Sequence, residues 1–260
     1  MNGLTVMLQK EWREHIRNYK VLWIPLVFIL FGIIEPLTNR YLPEIMESIG
    51  NMPADAEFPW PEFTGQDIFI SLMGQYQMVG LLIIVLGFMG AISAERKNGT
   101  AALLYVRPLS FVQYFMSKWI VVNTIVLGSV WIGFLASWYY IQILFNKVPA
   151  KDVFGFLAVY SLWIVFVVSI VLCLSAWLST GAAAALGITL TIIGSVLNSI
   201  IGQFWTITPW KLPVYATYIF TGHMDWTDLW LTVGVTVVLI GILILAGVLT
   251  AKRNAARTEI

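Results

Sequence analysis

The sequence is short of charge and has almost no thiol or imidazole. Only 11% of its 260 residues are Asp, Glu, Lys or Arg, against about 25% in a typical soluble domain. So few ionic side chains cannot wrap a globular surface in water, and a mean hydropathy of +0.82 makes lipid the natural solvent. The one cysteine, Cys173, excludes an internal disulfide and a thiolate metal cage. In its apolar run it reads as a small buried hydrophobe. Two histidines, His15 and His223, are too few for an imidazole metal site within the chain, and no metal ligand set is expected. Also missing are G-x-S-x-G, H-E-x-x-H and G-x-x-x-x-G-K-[ST]. Their absence argues against a serine-hydrolase elbow, a zinc-protease helix and a Walker-type phosphate cradle. A net charge of +1 gives no sign of nucleic-acid binding.

What the chain has in plenty is apolar sequence, 59% of all residues. A helix needs about 20 mostly apolar residues to cross the hydrocarbon core. Six stretches qualify: Val21–Leu37, about Ile70–Ala94, Trp119–Phe145, Val153–Leu178, about Ala182–Ile201, and Leu229–Ala251. The sequence therefore predicts an all-α polytopic membrane protein with six transmembrane helices. Only Ser179, Thr180 and Gly181 separate the fourth span from the fifth. A merged run of about 50 residues is too long for one crossing, so a tight turn is expected there.

Lysine and arginine set the orientation. One side collects Lys10, Arg13, Arg17, Lys20, Arg96, Lys97, Arg107, Lys118, Lys252, Arg253 and Arg257, which is 11 of the 15 basic residues. The other side has Arg40, Lys147, Lys151 and Lys211, and its first loop gathers Glu44, Glu47, Asp55, Glu57, Glu62 and Asp67. Both termini are expected in the cytoplasm. The stretch before Val21 contains Glu11 and Glu14, and no small-x-small pattern follows Leu37. The first span is accordingly expected to stay in the mature chain.

The expected organisation is an amphipathic interfacial helix over 1–20, then a six-span domain over 21–260. That domain has an outer loop at 38–69, a cytoplasmic loop at 95–118 and an outer aromatic segment at 203–228. In a helical projection of the N-terminal stretch, Leu4, Met7, Leu8, Trp12, Ile16 and Tyr19 share one arc. Lys10, Arg13, Arg17 and Lys20 lie opposite, while Glu11 and Asn18 intrude on the apolar side. Such a helix suits the anionic surface of the inner leaflet, or a face of a partner protein.

The cytoplasmic loop is the most informative segment. It runs from Ala94-Glu95-Arg96-Lys97-Asn98-Gly99-Thr100 through AALLYV to Arg107-Pro108-Leu109-Ser110 and ends at Lys118. Gly99 suits a left-handed turn, Pro108 suits a helix start and Ser110 a cap. Leu103, Leu104 and Tyr105 form an apolar knob ringed by charge, as a docking element for a soluble partner requires. The simpler alternative is that Arg96 and Lys97 only anchor a span end on lipid phosphates.

The pattern E-R-K-x-G-T-x-x-x-L-x-x-x-P-x-S from Glu95 to Ser110 resembles the loop after the second span in type-two permeases of ATP-binding-cassette exporters. So do Lys10-Glu11-Trp12-Arg13-Glu14 before the first span, the six-span order, and the basic ending Lys252-Arg253. The resemblance implies a coupling helix seated in a groove of an ATPase subunit. Glu95, Arg96, Lys97, Gly99, Thr100, Leu104 and Pro108 would belong to that contact. It also implies two ATPase copies carrying ATP and Mg, a second permease that is identical or paralogous, no cofactor and no enzymatic activity in this chain, and a bacterial plasma membrane.

Polar side chains inside the spans are the remaining candidates. Glu35 lies near the outer end of the first span, where snorkelling and a pathway role are both open. Gln75 marks the second span, and Ser195 and Asn198 mark the fifth, as possible lining of a translocation path or as interhelical hydrogen-bond donors. Gly181, Ala185, Gly187 and Gly194 allow close helix approach, either within the chain or at a dimer seam. From Gln203 to Asp228 the chain is unusually aromatic, as at a membrane interface. In the family this region resembles short re-entrant helices, and His223 there reads as a surface residue. The rival functions are a non-transporting membrane anchor or immunity protein, and an intramembrane enzyme.

Overall fold

The computed structural model describes residues 3–49, 63–99 and 110–256, and within these everything regular is helical. Helix α1 covers Gly3–Arg17 and α2 covers Lys20–Ile49. The second span is built from α3 (Gly65–Gln75), a π-helical turn (Tyr76–Gly80) and α4 (Leu81–Phe88), followed by the short α5 (Ser93–Lys97). Then come α6 (Phe111–Leu144), α7 (Ala150–Trp177), α8 (Thr180–Ile201), α9 (Leu212–Thr221) and α10 (Trp226–Ala256). Among the described residues six helical stretches are long and apolar enough to cross a membrane.

The span boundaries follow local chemistry. Thr64 caps α3 through a capping box: its hydroxyl accepts from Asp67 N (3.3 Å), and Asp67 accepts from Thr64 N at 2.9 Å. The second span therefore starts five residues before Ile70. Ser110 caps α6 by accepting from Val112 N at 3.3 Å. The chain breaks between α7 and α8 at Leu178–Ser179, the tight turn expected from the Ser-Thr-Gly break. The first span differs from expectation at its far end. Helix α2 continues beyond Leu37 to Ile49 with Pro25, Pro36 and Pro43 inside it, so the start of the 38–69 segment is helical. Each proline removes one N–H from the ladder without ending the helix.

Helix α7 is the hub. Two thirds of its most apolar stretch is buried, against 11% for α8. Its neighbours are α4, α5, α6, α8, α9, α10 and the 3-10 turn that precedes α9. A ring cluster of Phe69, Phe134, Phe156, Tyr160 and Phe220 joins α3, α6, α7 and α9, with centroids 5.1–6.1 Å apart. Helices α2 and α6 approach each other closely at a pair of glycines. A Cβ placed on Gly32 would stand 2.1 Å from the Gly133 carbonyl oxygen, and one on Gly133 would stand 2.7 Å from the Phe28 carbonyl oxygen. The Tyr76 hydroxyl donates to that Phe28 carbonyl at 2.6 Å, pinning the π-helical turn to the crossing.

After α8, a 3-10 turn (Pro209–Lys211) and α9 fold back onto α7. Trp210 lies against Gly194 of α8 and edge-on to Phe166. Gly222 closes α9 in the left-handed conformation, and His223 is exposed.

Candidate functional site

Six helical spans return the chain to the side from which it started, so the ends of α1, α5, α7 and α10 and the start of α6 meet at one end of the bundle. The second span bends before it gets there. Ordinary helical bonding lapses over Met89–Ile92, and a buried hydroxyl from α7 fills the gap. Ser175 accepts from Ile92 N (3.1 Å) and Ser93 N (3.2 Å) and donates to Met89 O at 2.7 Å. One hydroxyl thus uses its donor and both lone pairs. Helix α5 emerges from this bend carrying Glu95, Arg96 and Lys97.

Each of the three has a different environment. The Glu95 carboxylate accepts from Tyr114 of α6 (2.6 Å), from Lys10 of α1 and from Lys118 of α6 (3.0 Å). Arg96 donates to the carbonyls of Ala176 (2.8 Å) and Leu178, which have no further helical turn to bond to at the end of α7. Asn254 of α10 reaches the same Ala176 carbonyl at 2.9 Å. Lys97 is exposed, as are Asn98 and Gly99. Gly99 has φ +72, the left-handed turn expected of it, and a side chain there would be strained although it would meet no neighbour. Thr100, Leu104 and Pro108 lie outside the described residues.

Beneath Glu95 is a second carboxylate that is almost fully buried. Glu11 of α1 bonds Lys118 at 3.0–3.1 Å and Lys10 at 3.0 Å, with its side chain 2% exposed and that of Lys118 1%. Two ammonium groups therefore bridge two carboxylates from three helices, with Glu14 at 3.8 Å from Lys10 on the rim. Burial alone would favour the neutral form of Lys10, but Glu11 and Glu95 outweigh it and hold its pKa above the ordinary lysine value. The carboxylates of Glu11, Glu14 and Glu95 lie close enough together to suggest a cation, but the two lysines already bond all three.

The inward face of α1 differs from the apolar arc read from its sequence. Met7, Glu11 and His15 are buried, whereas Ile16 and Tyr19 are exposed. Glu11, the residue that spoiled the arc, is the centre of the buried face. Both ring nitrogens of His15 are buried without a hydrogen-bond partner among the described residues, and its ring stands edge-on to Phe88 at 5.5 Å. Burial, together with Lys20, lowers its pKa from 6.5 to about 4. Between those values the unfolded chain takes a proton that the folded chain refuses, so stability falls as the pH drops through that window. His15→Leu is expected to flatten this part of the profile, measured as the unfolding temperature in detergent from pH 7 to 4.

The span-embedded candidates separate into two groups. Glu35 and Gln75 come together. The Glu35 carboxylate is 6% exposed and accepts from Ser71 and Gln75 of α3 and from Asn39 one turn along α2 (3.1 Å). It is therefore a packed, hydrogen-bonded tie between the first two spans. Ser195 and Asn198 lie on α8. Ser195 donates to its own helix at Thr191 O (2.9 Å), and Asn198 Oδ1 is buried without a partner among the described residues.

Sequence inspection missed Ser175, Tyr114 and the burial of Lys118. Glu11 on an apolar arc was the available signal, since a carboxylate on the packing face of a helix needs a cation or hydrogen-bond donors opposite it.

Residues 5–212 match the model of a family described as ABC-2 family transporter protein. A curated relative, the uncharacterized transmembrane protein YxlG of Bacillus subtilis (strain 168), is 33% identical over 192 residues. That alignment covers 74% of this chain and 74% of the relative.

Proposed function

Since the chain belongs to the ABC-2 family of transporter proteins, a multi-pass membrane family, we propose that it is the permease subunit of an ATP-driven exporter whose ATPase is a separate polypeptide. Two such permeases, identical or paralogous, would enclose the path in a bacterial plasma membrane. Two ATPase subunits would supply the ATP and Mg sites that this chain lacks a Walker motif to form. The observation that carries the proposal is the junction around Glu95. The segment that leads into the family-like loop is bonded to α1, α6 and α7 at once, while Lys97, Asn98 and Gly99 remain exposed.

Such an arrangement suits force transmission. A push on the exposed residues Lys97–Gly99 would not be absorbed by bending at Met89–Ile92, because Glu95 and Arg96 carry it directly into neighbouring spans. Closure of the motors on ATP would then tilt α6 and α7 together with the second span, opening the paired permeases to the far side. Glu35 with Gln75, and Ser195 with Asn198, are the polar groups proposed to lie along the path.

The test is co-purification from native membranes in mild detergent. Wild type is expected to bring down an ATP-binding-cassette ATPase. The Gly99→Pro plus Glu95→Arg variant, inserted at an equal level, is expected to lose it. A correctly inserted wild type that captures no ATPase would sink the proposal.

A further inference from the structure

Beside the junction, the same end of the bundle holds a further feature. A shallow cavity of about 280 Å³ lies between the ends of α7 and α10, lined by Trp177, Thr250, Arg253 and Asn254. We propose that it binds the headgroup of an anionic phospholipid, with the phosphate on Arg253.

Three observations converge on that ligand. First, Trp177 is 63% exposed at the end of the most buried helix, directly after Ala176 at 0%. An indole standing free at a span end, beside a guanidinium, is the composition of a membrane interface. Second, Arg253 is exposed and forms no ion pair among the described residues, so its charge is available to an anion. Third, the surface below it is made for an acyl chain. Ile242, Leu245 and Leu249, which are 54–65% exposed, recur at three- and four-residue spacing and lead up α10 to Arg253 on the same face. A guanidinium at the head of an apolar stripe matches a lipid phosphate more closely than an acidic protein surface, which would leave the leucines uncovered. Basic pockets between helices on one side of a membrane take anionic headgroups in this way.

Thr250 and Asn254 shape the walls. Thr250 bonds back to Ala246 O at 2.7 Å, and Asn254 is fixed by its bond to Ala176 O. That last carbonyl also receives Arg96, so the site borders the anchored end of α5.

The purified full-length chain, titrated with phosphatidylglycerol or phosphatidylcholine of matched acyl chains and followed by native mass spectrometry, tests this. Phosphatidylglycerol adducts should exceed phosphatidylcholine adducts in the wild type. Arg253→Gln should reduce them about fivefold, the loss for one basic residue at an anionic surface. Lys252→Gln, one residue away and off the stripe, should lower them clearly less. Thr250→Leu, which fills the cavity and keeps every charge, should lower them as Arg253→Gln does, so the proposal stays testable if one variant misfolds. Equal binding of the two lipids, equal loss from Lys252→Gln, or retention in Thr250→Leu would each overturn it. Displacement of the lipid by millimolar inorganic phosphate would show a free-phosphate site instead and overturn the lipid assignment.

Discussion

Lys118→Met is expected to destabilise the protein by about 3 kcal/mol, the low end for breaking a buried ion pair, because it leaves two buried carboxylates sharing one cation. Lys118 is 1% exposed and bonds both Glu11 and Glu95, so solvent cannot take its place. The methionine fills nearly the same space, which separates loss of charge from loss of packing. Lys10 would still reach both carboxylates, but one ammonium would then serve two acids. Adding Glu11→Gln should recover part of the loss, since the paired substitutions share one network and should not be additive. Thermal unfolding of single and double variants in detergent checks both statements. A single variant within about 0.5 kcal/mol of wild type, the range of an ordinary surface change, would mean that the buried charges do not hold α1 in place.

Gly133→Val is expected to act through space rather than charge. Its Cβ would fall 2.1 Å from the Tyr76 hydroxyl and 2.7 Å from the Phe28 carbonyl oxygen. The tyrosine is the tip of a side chain and could turn away, at the cost of its bond to Phe28. The carbonyl belongs to α2 and cannot yield unless the two helices separate. Overpacking a well-filled core costs about 1–3 kcal/mol where side chains can adjust, and here the obstacle is backbone, so the upper end or beyond is expected. Small residues at helix crossings in lipid serve this close approach. The readout is the fraction of monodisperse protein after extraction and its unfolding temperature. Behaviour like wild type would show that α2 and α6 do not meet as closely as described.

The sequence held much of this fold, and the reasons differ from one element to another. Six spans were legible because lipid demands long apolar runs, and the Ser179–Gly181 break was legible because span length is bounded. The glycine turn at Gly99 and the cap at Ser110 were legible because each depends on one residue's local chemistry. The helical continuation of α2 past Leu37 was not, because Pro36 just before it, Pro43 beyond it and a rise in charge mimic a loop. Nor was the junction. Lys118 reads as one more basic residue flanking a span until α1 folds across it, and Ser175 reads as a small residue in an apolar helix until the bend at Met89–Ile92 meets it. These are contacts between residues about 80–110 positions apart in the chain, and no local pattern encodes them. The off-pattern Glu11 was a trace of one of them.

As a coupling element, the exposed segment following Glu95 would meet an ATPase. The chain has one cysteine, so Cys173→Ser gives a thiol-free background in which Lys97→Cys, on the exposed side of α5, can carry a short cross-linker in native membranes. An adduct between position 97 and an ATP-binding-cassette ATPase, changing in yield when nucleotide is added, is the predicted result. If position 97 gives no such adduct in a correctly inserted protein, while His223→Cys at the opposite end of the bundle does, the claim is contradicted.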